Sequence, residues 1–271
     1  MPPTLSALET LHHEHAYGWA FENLDVFLNG RNGLDRGSLR AKLGSRKRGG
    51  WCFELNEWLA LALEDAGFPV RRLMARNVYL DHRPRTHQIT LVEVEGQLWT
   101  ADAGFGAQTP RAPMRLEDGY ERIQDGLPYR MEHRPPSGLA EPGAWVLGMR
   151  VEGVWRDLYR FTLESATAAD FEVGNHFHLT HPSSSFPDVR MVTRPFPGGR
   201  LTLADRTLKT WRNTLDGEVL DAQEDLLTLQ AYGDALAQRF GLELPGPAID
   251  RLFSLEPSIS RGSAPCADRP Q

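Results

Sequence analysis

The sequence predicts an α+β chain in three stretches: helices first, then short antiparallel strands, then a smaller mixture of strands and a helix. Three observations predict it. Between Thr4 and Ala66 apolar residues recur every three or four positions, the helical period. From Val70 the pattern changes to short runs separated by turn pairs such as Glu95-Gly96 and Glu152-Gly153. Short strands return at Met191, and a last apolar periodicity follows them. The 271 residues, 41% hydrophobic and 24% charged, are enough for one large or two to three small domains with ample core.

The first helix carries Leu5, Leu8, Leu11 and His12 on one face. A later one runs from Trp51 to Ala66, with Leu55, Trp58, Leu59, Ala62 and Leu63 at helical spacing. Gly67 suits the left-handed residue that ends a helix, and Pro69 forbids continuation. Strands are expected over Val70 to Tyr79, His87 to Val94, Gln97 to Ala101, Ala144 to Val151 and Trp155 to Thr162. Together they make an antiparallel barrel or meander. Glu132 to Gly143, rich in Pro and Gly, reads as a loop, and Ala168 to Asn175 as a short helix. Met191 to Thr193, Arg200 to Ala204 and Lys209 to Asn213 read as strands, followed by a helix from Ala222 to Phe240. The tail from Ser258 is rich in Ser, Pro and Arg and is expected to be disordered.

The formal net charge of -6 argues against a general nucleic-acid or membrane-surface binder. No apolar run approaches the ~20 residues of a membrane span, and the start lacks a basic, then apolar, leader. The two cysteines, Cys52 and Cys266, give no disulfide framework, which suits a reducing compartment. The expectation is a cytoplasmic protein.

Cys52 follows Gly49, Gly50 and Trp51 and opens an apolar helix. A thiol at a helix N-terminus meets the positive end of the dipole, which favours the nucleophilic thiolate. The hairpin at Glu95-Gly96 supplies possible partners. With a two-residue turn, Val94 faces Gln97, so Ile89 faces Asp102, and His87 shares the face of Asp102 as its diagonal neighbour. His87 also shares that face with Ile89 and Leu91. A carboxylate on such an apolar face needs a partner. One reading is a Cys52–His87–Asp102 triad, with His87 taking the thiol proton and Asp102 fixing the His tautomer. The other is a buried helix-start cysteine beside a His–Asp pair that satisfies itself.

These residues stand in runs that resemble the arylamine N-acetyltransferases: FENLD at 21–25, RGGWCFELN at 48–56, THQITLV at 86–92 and DAGFG at 102–106. FTLE at 161–164, DFE at 170–172 and SSF at 184–186 extend the match, which covers about Thr4 to Leu244. The resemblance implies a papain-like Cys–His–Asp site on Cys52, His87 and Asp102. It implies ping-pong chemistry with acetyl-CoA as co-substrate, an arylamine or hydrazine as acceptor, and no metal. It further implies a helical bundle (1–69) carrying the cysteine, a β-barrel (70–185) carrying His and Asp, and an α/β lid (186–257), with 258–271 as tail. Phe21, Thr86 and Phe105 are the expected acceptor-pocket residues. Gly104 and Gly106 are expected in a tight loop at the CoA thioester. Arg48 and Glu22 are expected to pair and brace the cysteine loop, and Asn56 to cap or brace.

Two departures accompany the match. The family usually has a further helix before the position where this chain begins. Trp19-Ala20 stands where the family often has Ile-Pro, and Trp19 is expected to reshape the acceptor pocket. His176, His178 and His181 suggest a metal, but in strand geometry only the first two share a face, and no Cys or acidic set accompanies them. His12, His13 and His15 are expected on the helix surface. Arg194, Arg200, Arg206 and Lys209 read as a CoA-phosphate patch or as a solvated basic face. Competing functions are an amide synthase of ansamycin-type biosynthesis, a cysteine hydrolase with the same triad, and a non-catalytic acyl-CoA-binding protein.

Overall fold

The computed structural model describes residues 3–28, 32–45, 47–79, 84–138 and 143–257. The N-terminal part is helical: α1 (Leu5–Gly18), α2 (Leu24–Leu28), α3 (Arg36–Leu43) and α4 (Cys52–Asp65), with the two-residue strand β1 (Phe21–Glu22) between α1 and α2. Thr4 caps α1 by accepting from the Ala7 amide, and Asp35 caps α3 through the Gly37 and Ser38 amides. Gly67, at φ +84°, ends α4 as expected. Its amide reaches the Glu64 carbonyl and that of Phe68 reaches Leu63.

The middle of the chain forms an eight-stranded antiparallel sheet of β2 (Val70–Asn77), β3 (Arg85–Val94), β4 (Gln97–Ala101), β5 (Met114–Arg115), β6 (Tyr120–Gln124), β7 (Leu127–Arg134), β8 (Ala144–Val151) and β9 (Val154–Ser165). Its order is β5-β4-β3-β2-β9-β8-β7-β6, and its two edge strands are consecutive and lie side by side, so the sheet curls into a nearly closed barrel. Ile89, Leu91, Tyr129, Leu147, Tyr159 and Phe161 fill the inside. On the outside, Leu8, Leu59 and Leu63 of the helices pack on Val92, Trp99 and Ala101. The central strand β3 is therefore buried on both faces, which explains why its apolar pattern barely alternates.

Helix α5 (Ala168–Thr180) then packs on β3, and a five-stranded sheet follows with the order β1-β10-β11-β12-β13. Its later strands are β10 (Met191–Phe196), β11 (Gly199–Ala204), β12 (Thr207–Thr214) and β13 (Gly217–Asp225). Strand β1 pairs with β10, so the FENLD segment is stitched into the C-terminal sheet. A helix α6 (Leu229–Asp234), a π-helical turn (Ala235–Arg239) and α7 (Gly246–Ser254) cover that sheet. Among the described residues no helix is long and apolar enough to cross a membrane.

Several sequence expectations need correction. The expected loop from Glu132 begins inside β7, and the β6–β7 hairpin was not anticipated. Ala222 to Asp225, expected as helix, belongs to β13 because pairing with β12 outweighs the apolar period there, and the helix starts only at Leu229. Helix α5 runs five residues beyond Asn175, to Thr180. Cys266 and the expected disordered tail lie outside the described residues.

Candidate active site

The cysteine loop is shaped by close backbone contact. Gly50 N–H reaches the Ala20 carbonyl at 3.2 Å, and Glu22 N–H reaches the Gly50 carbonyl at 3.0 Å. A Cβ on Gly49 would stand 2.0 Å from the Ala20 oxygen, so only glycine fits there. Beneath the loop lies a half-buried ionic cluster. Arg48 bonds Glu22 and Asp25, and Lys42 bonds Asp25 and Glu54, at 2.6–2.8 Å. Glu54 also accepts the Trp51 amide, tying the cluster to the first turn of α4. Burial drives Asp25 up, but Lys42 and Arg48 outweigh it and hold that carboxyl below its ordinary value. Burial raises Glu54, only partly opposed by Lys42.

Cys52 is the first residue of α4 and is buried, with its Sγ 3.7 Å from the Thr86 carbonyl oxygen. Burial, helped by the Asp102 charge, pushes the thiol up to about 12, against the Phe53 and Gln88 amides that favour thiolate. The thiol does not ionise alone; it needs a base that becomes a cation beside it.

His87 comes from β3, and the hairpin register places Asp102 just beyond the end of β4. Val94 faces Gln97 and Thr90 faces Ala101, as the turn arithmetic requires. The turn residues Glu95 and Gly96 both have positive φ, 53° and 70°. His87 Nε2–H donates to Asp102 Oδ2 at 2.8 Å, leaving Nδ1 as the basic nitrogen. Asp102 Oδ1 accepts from Asn56 Nδ2 at 2.8 Å and from the Gly104 amide at 3.0 Å. Burial raises this carboxyl, but His87, Asn56 and Gly104 together bring it below its usual value. Asn56 also donates to the Gln88 carbonyl and accepts from the Ala103 amide, so it ties α4 to β3 and to the segment that follows β4. The ring of Phe105 stands edge-on to His87 at 4.9 Å.

One cavity of about 210 Å³ gathers Cys52, His87, Thr86, Phe21, Phe105, Gly104 and Gly106. All seven were singled out in the sequence; Asp102 lies behind His87. A Cβ on Gly104 would crowd the Cys52 Cα and carbonyl at 3.1 Å, so a bare glycine lets the loop lie this close to the first turn of α4. His178, Phe186, Met191, Asn77 and Gln108 also line the cavity and were not anticipated as site residues.

His178 and His12 show what the sequence reading lacked. Phe171, Gly174, Asn175 and His178 are spaced as one buried helical face, a signal hidden by the strand geometry assumed for the His run. In α5, His178 Nε2–H donates to the Thr86 carbonyl at 2.9 Å, while His176 and His181 meet Thr180 and Ser183 instead. Among the described residues no group of His, Cys, Asp and Glu gathers to hold a metal. His12 is fully buried, not on the surface, and its Nε2 accepts the Asp102 amide at 3.1 Å. Burial lowers His12 to about 4, so it is a neutral acceptor.

Two other expectations change. Trp19 turns away from the cavity: its indole N–H donates to the Leu43 carbonyl, and its ring packs with Leu39, Leu55 and Leu61. Of the basic residues considered for CoA phosphates, Arg200 pairs with Glu218, Arg194 donates to the Phe240 carbonyl and Arg206 to that of Phe253. Those three guanidiniums hold the C-terminal sheet and its helices together.

Comparison with known proteins matches residues 4–249 to the N-acetyltransferase family. An arylamine N-acetyltransferase / N-hydroxyarylamine O-acetyltransferase of Salmonella typhimurium is 40% identical over 245 residues, covering 89% of this chain and 83% of that protein. The solved structure of the Salmonella typhimurium arylamine N-acetyltransferase superimposes with a TM-score of 0.84 at 32% identity, covering 93% of this chain and 92% of that one. The Mycobacterium marinum arylamine N-acetyltransferase in complex with CoA gives 0.82 at 31% identity, covering 93% of each.

Proposed function

The chain belongs to the arylamine N-acetyltransferase family, and we propose that it transfers acetyl groups through a thioester on Cys52. It is an acyltransferase that takes acetyl-CoA as co-substrate and an arylamine as acceptor. The amide synthase and cysteine hydrolase alternatives give way, because relatives at 33–40% identity are arylamine N-acetyltransferases.

In the proposed chemistry His87 Nδ1 takes the Cys52 proton, and Asp102 stabilises the imidazolium at Nε2. The thiolate attacks the acetyl carbonyl. A Cys52–acyl bond forms, the acyl–CoA bond breaks, and His87 returns the proton to the departing CoA sulfur. In the second half the acceptor amine attacks the thioester, His87 takes its proton and the Cys52 sulfur leaves. Phe21, Phe105, Phe186 and Met191 give the cavity an apolar wall suited to an aromatic ring. The Gly104–Gly106 loop brings bare backbone to the thioester. Hydrazines are accepted on the same chemistry. We further assign 1–69, 70–185 and 186–257 as the three domains and place the protein in the cytoplasm.

The observation that carries this reading is the His87–Asp102 bond at 2.8 Å beside a buried Cys52, with Cys52 and His87 lining one cavity and Asp102 tied to the Cys52 helix by Asn56. Intact mass after mixing with acetyl-CoA, without acceptor, tests it. An acetyl-sized adduct is expected on the wild-type chain and not on Cys52→Ser, with release by an aniline-type amine and not by water. No adduct on the wild type overturns the proposal.

A further inference from the structure

The Thr86 carbonyl sits where two elements meet at the thiol. Strand β3 pairs with β2 as Ala75 to His87 and Arg76 to Arg85, so Thr86 is the extra residue of a β-bulge. A bulged residue falls out of the ladder, and bulges redirect groups beside active sites. The freed carbonyl points at the first turn of α4, where the Cys52 thiol is 3.7 Å away. Its second donor is His178 of α5, whose Nε2–H approaches to 2.9 Å. A carbonyl cannot donate, so His178 must carry its proton on Nε2 here. His178 itself is buried, wedged among Trp51, Phe53 and Phe186 at ring separations of 4.6–5.9 Å.

We propose that His178 is a positioning residue for the acyl-transfer step, keeping the bulged Thr86 carbonyl hydrogen-bonded when the Cys52 proton leaves. The inference rests on the thioester reading above. At rest the carbonyl has two donors, Sγ–H and Nε2–H. When the proton moves to His87, the first is lost. Without His178 the carbonyl would be buried beside a thiolate with neither donor, and the lone pairs of both would face each other. With His178 the oxygen keeps one strong donor, and the Thr86-His87 peptide keeps its orientation from one side while Asp102 holds the His87 ring from the other. His178 thereby acts on the reaction without touching the acetyl group.

The charged and titratable groups facing Cys52 are His87 and Asp102 from the sheet side, Glu54 from its own helix and His178 itself from α5. Replacing His178 leaves the first three in place, and a glutamine there returns an N–H donor without a titratable ring, so the two variants separate the lost donor from the lost imidazole. Leaving a buried carbonyl unpaired corresponds to roughly ten- to hundred-fold in rate.

The test compares His178→Phe, which keeps a ring and loses the donor, with His178→Gln, which restores an N–H. Three quantities are measured on each full chain: the single-turnover rate of acetyl adduct formation, the pH midpoint of Cys52 alkylation by iodoacetamide, and the melting temperature. His178→Phe is expected to acylate roughly ten- to hundred-fold more slowly, with its alkylation midpoint moved to higher pH. His178→Gln is expected to recover most of both. Wild-type rate and midpoint in His178→Phe overturn the inference, and so does an equal loss in both variants, whatever the melting temperatures. Failure of the wild-type chain to acylate is a different result, and it strikes the thioester reading instead.

Discussion

Asp102 divides its two oxygens between His87 and a pair of fixed donors. One oxygen takes the imidazole Nε2–H; the other takes Asn56 and the Gly104 amide, two donors that cannot accept. In Asp102→Asn the amide oxygen stays with those donors, so its NH₂ turns toward His87. Nε2 must then accept, and the ring proton moves to Nδ1, the nitrogen needed as base. The fold should tolerate this near-isosteric change, while the acylation rate falls by roughly three to four orders of magnitude, the size of a wrong-tautomer defect in a triad. Single-turnover mass spectrometry at saturating acetyl-CoA measures it. A rate within tenfold of wild type would mean that the tautomer held by Asp102 does not matter.

At the scale of elements, the loop from Arg48 to Trp51 is held by charge as well as by backbone contact. Arg48 is only 19% exposed and serves both Glu22 and Asp25. Removing it strands the Glu22 carboxylate at a mostly buried site and leaves Asp25 to Lys42, an uncompensated burial that costs about 3 kcal/mol. Arg48→Ala and Glu22→Ala should each lower the melting temperature by roughly 6–12 °C for a chain of this size; unchanged melting in both would show that the cluster does not brace the loop. This brace was legible in the sequence because both partners sit in motifs flanking the same contact. So was the β3–β4 hairpin, since Glu95-Gly96 fixes a register that leads to Asp102. The β6–β7 hairpin carries the same kind of mark, an Asp125-Gly126 turn with φ of 50° and 84°, but adjacent Glu121 and Arg122 break the alternation of β6, and Pro128 interrupts β7. The last residues of β13, from Ala222 to Asp225, read as helix because Leu226, Leu227 and Leu229 fit a helical period that begins only after the strand ends. Helical spacing puts His12 with Leu8 and His178 with Phe171 on buried faces, but it does not name their partners, Asp102 and Thr86, which only tertiary packing brings to them.

Protonation of His12 sets a limit on the whole molecule. Helix α1 meets the barrel through Leu8 and Ala16, and in the middle of that contact His12 accepts the Asp102 amide. Burial, opposed by Asp102 and reinforced by His15, lowers its pKa from 6.5 to about 4. Between those values the unfolded chain binds a proton that the folded chain refuses. Stability therefore rises with pH from 4 to 6.5 and is fully present above it. A shift of this size corresponds to about 3 kcal/mol across the window. The depressed carboxyls of Asp25 and Asp102 act below this window, but the Glu54 carboxyl, raised above its ordinary 4.5, binds a proton more readily in the folded chain and runs the opposite way within it, so the wild-type curve alone mixes these contributions. His12→Gln separates them. Its amide oxygen still accepts from Asp102 N–H and does not titrate, so the triad geometry and acylation at neutral pH should survive. Urea unfolding from pH 6.5 down to 4 should then lose about 3 kcal/mol less in the variant than in the wild type. Parallel curves would mean that His12 can be protonated without separating α1 from the barrel, and that the site opens at low pH through its carboxylates alone.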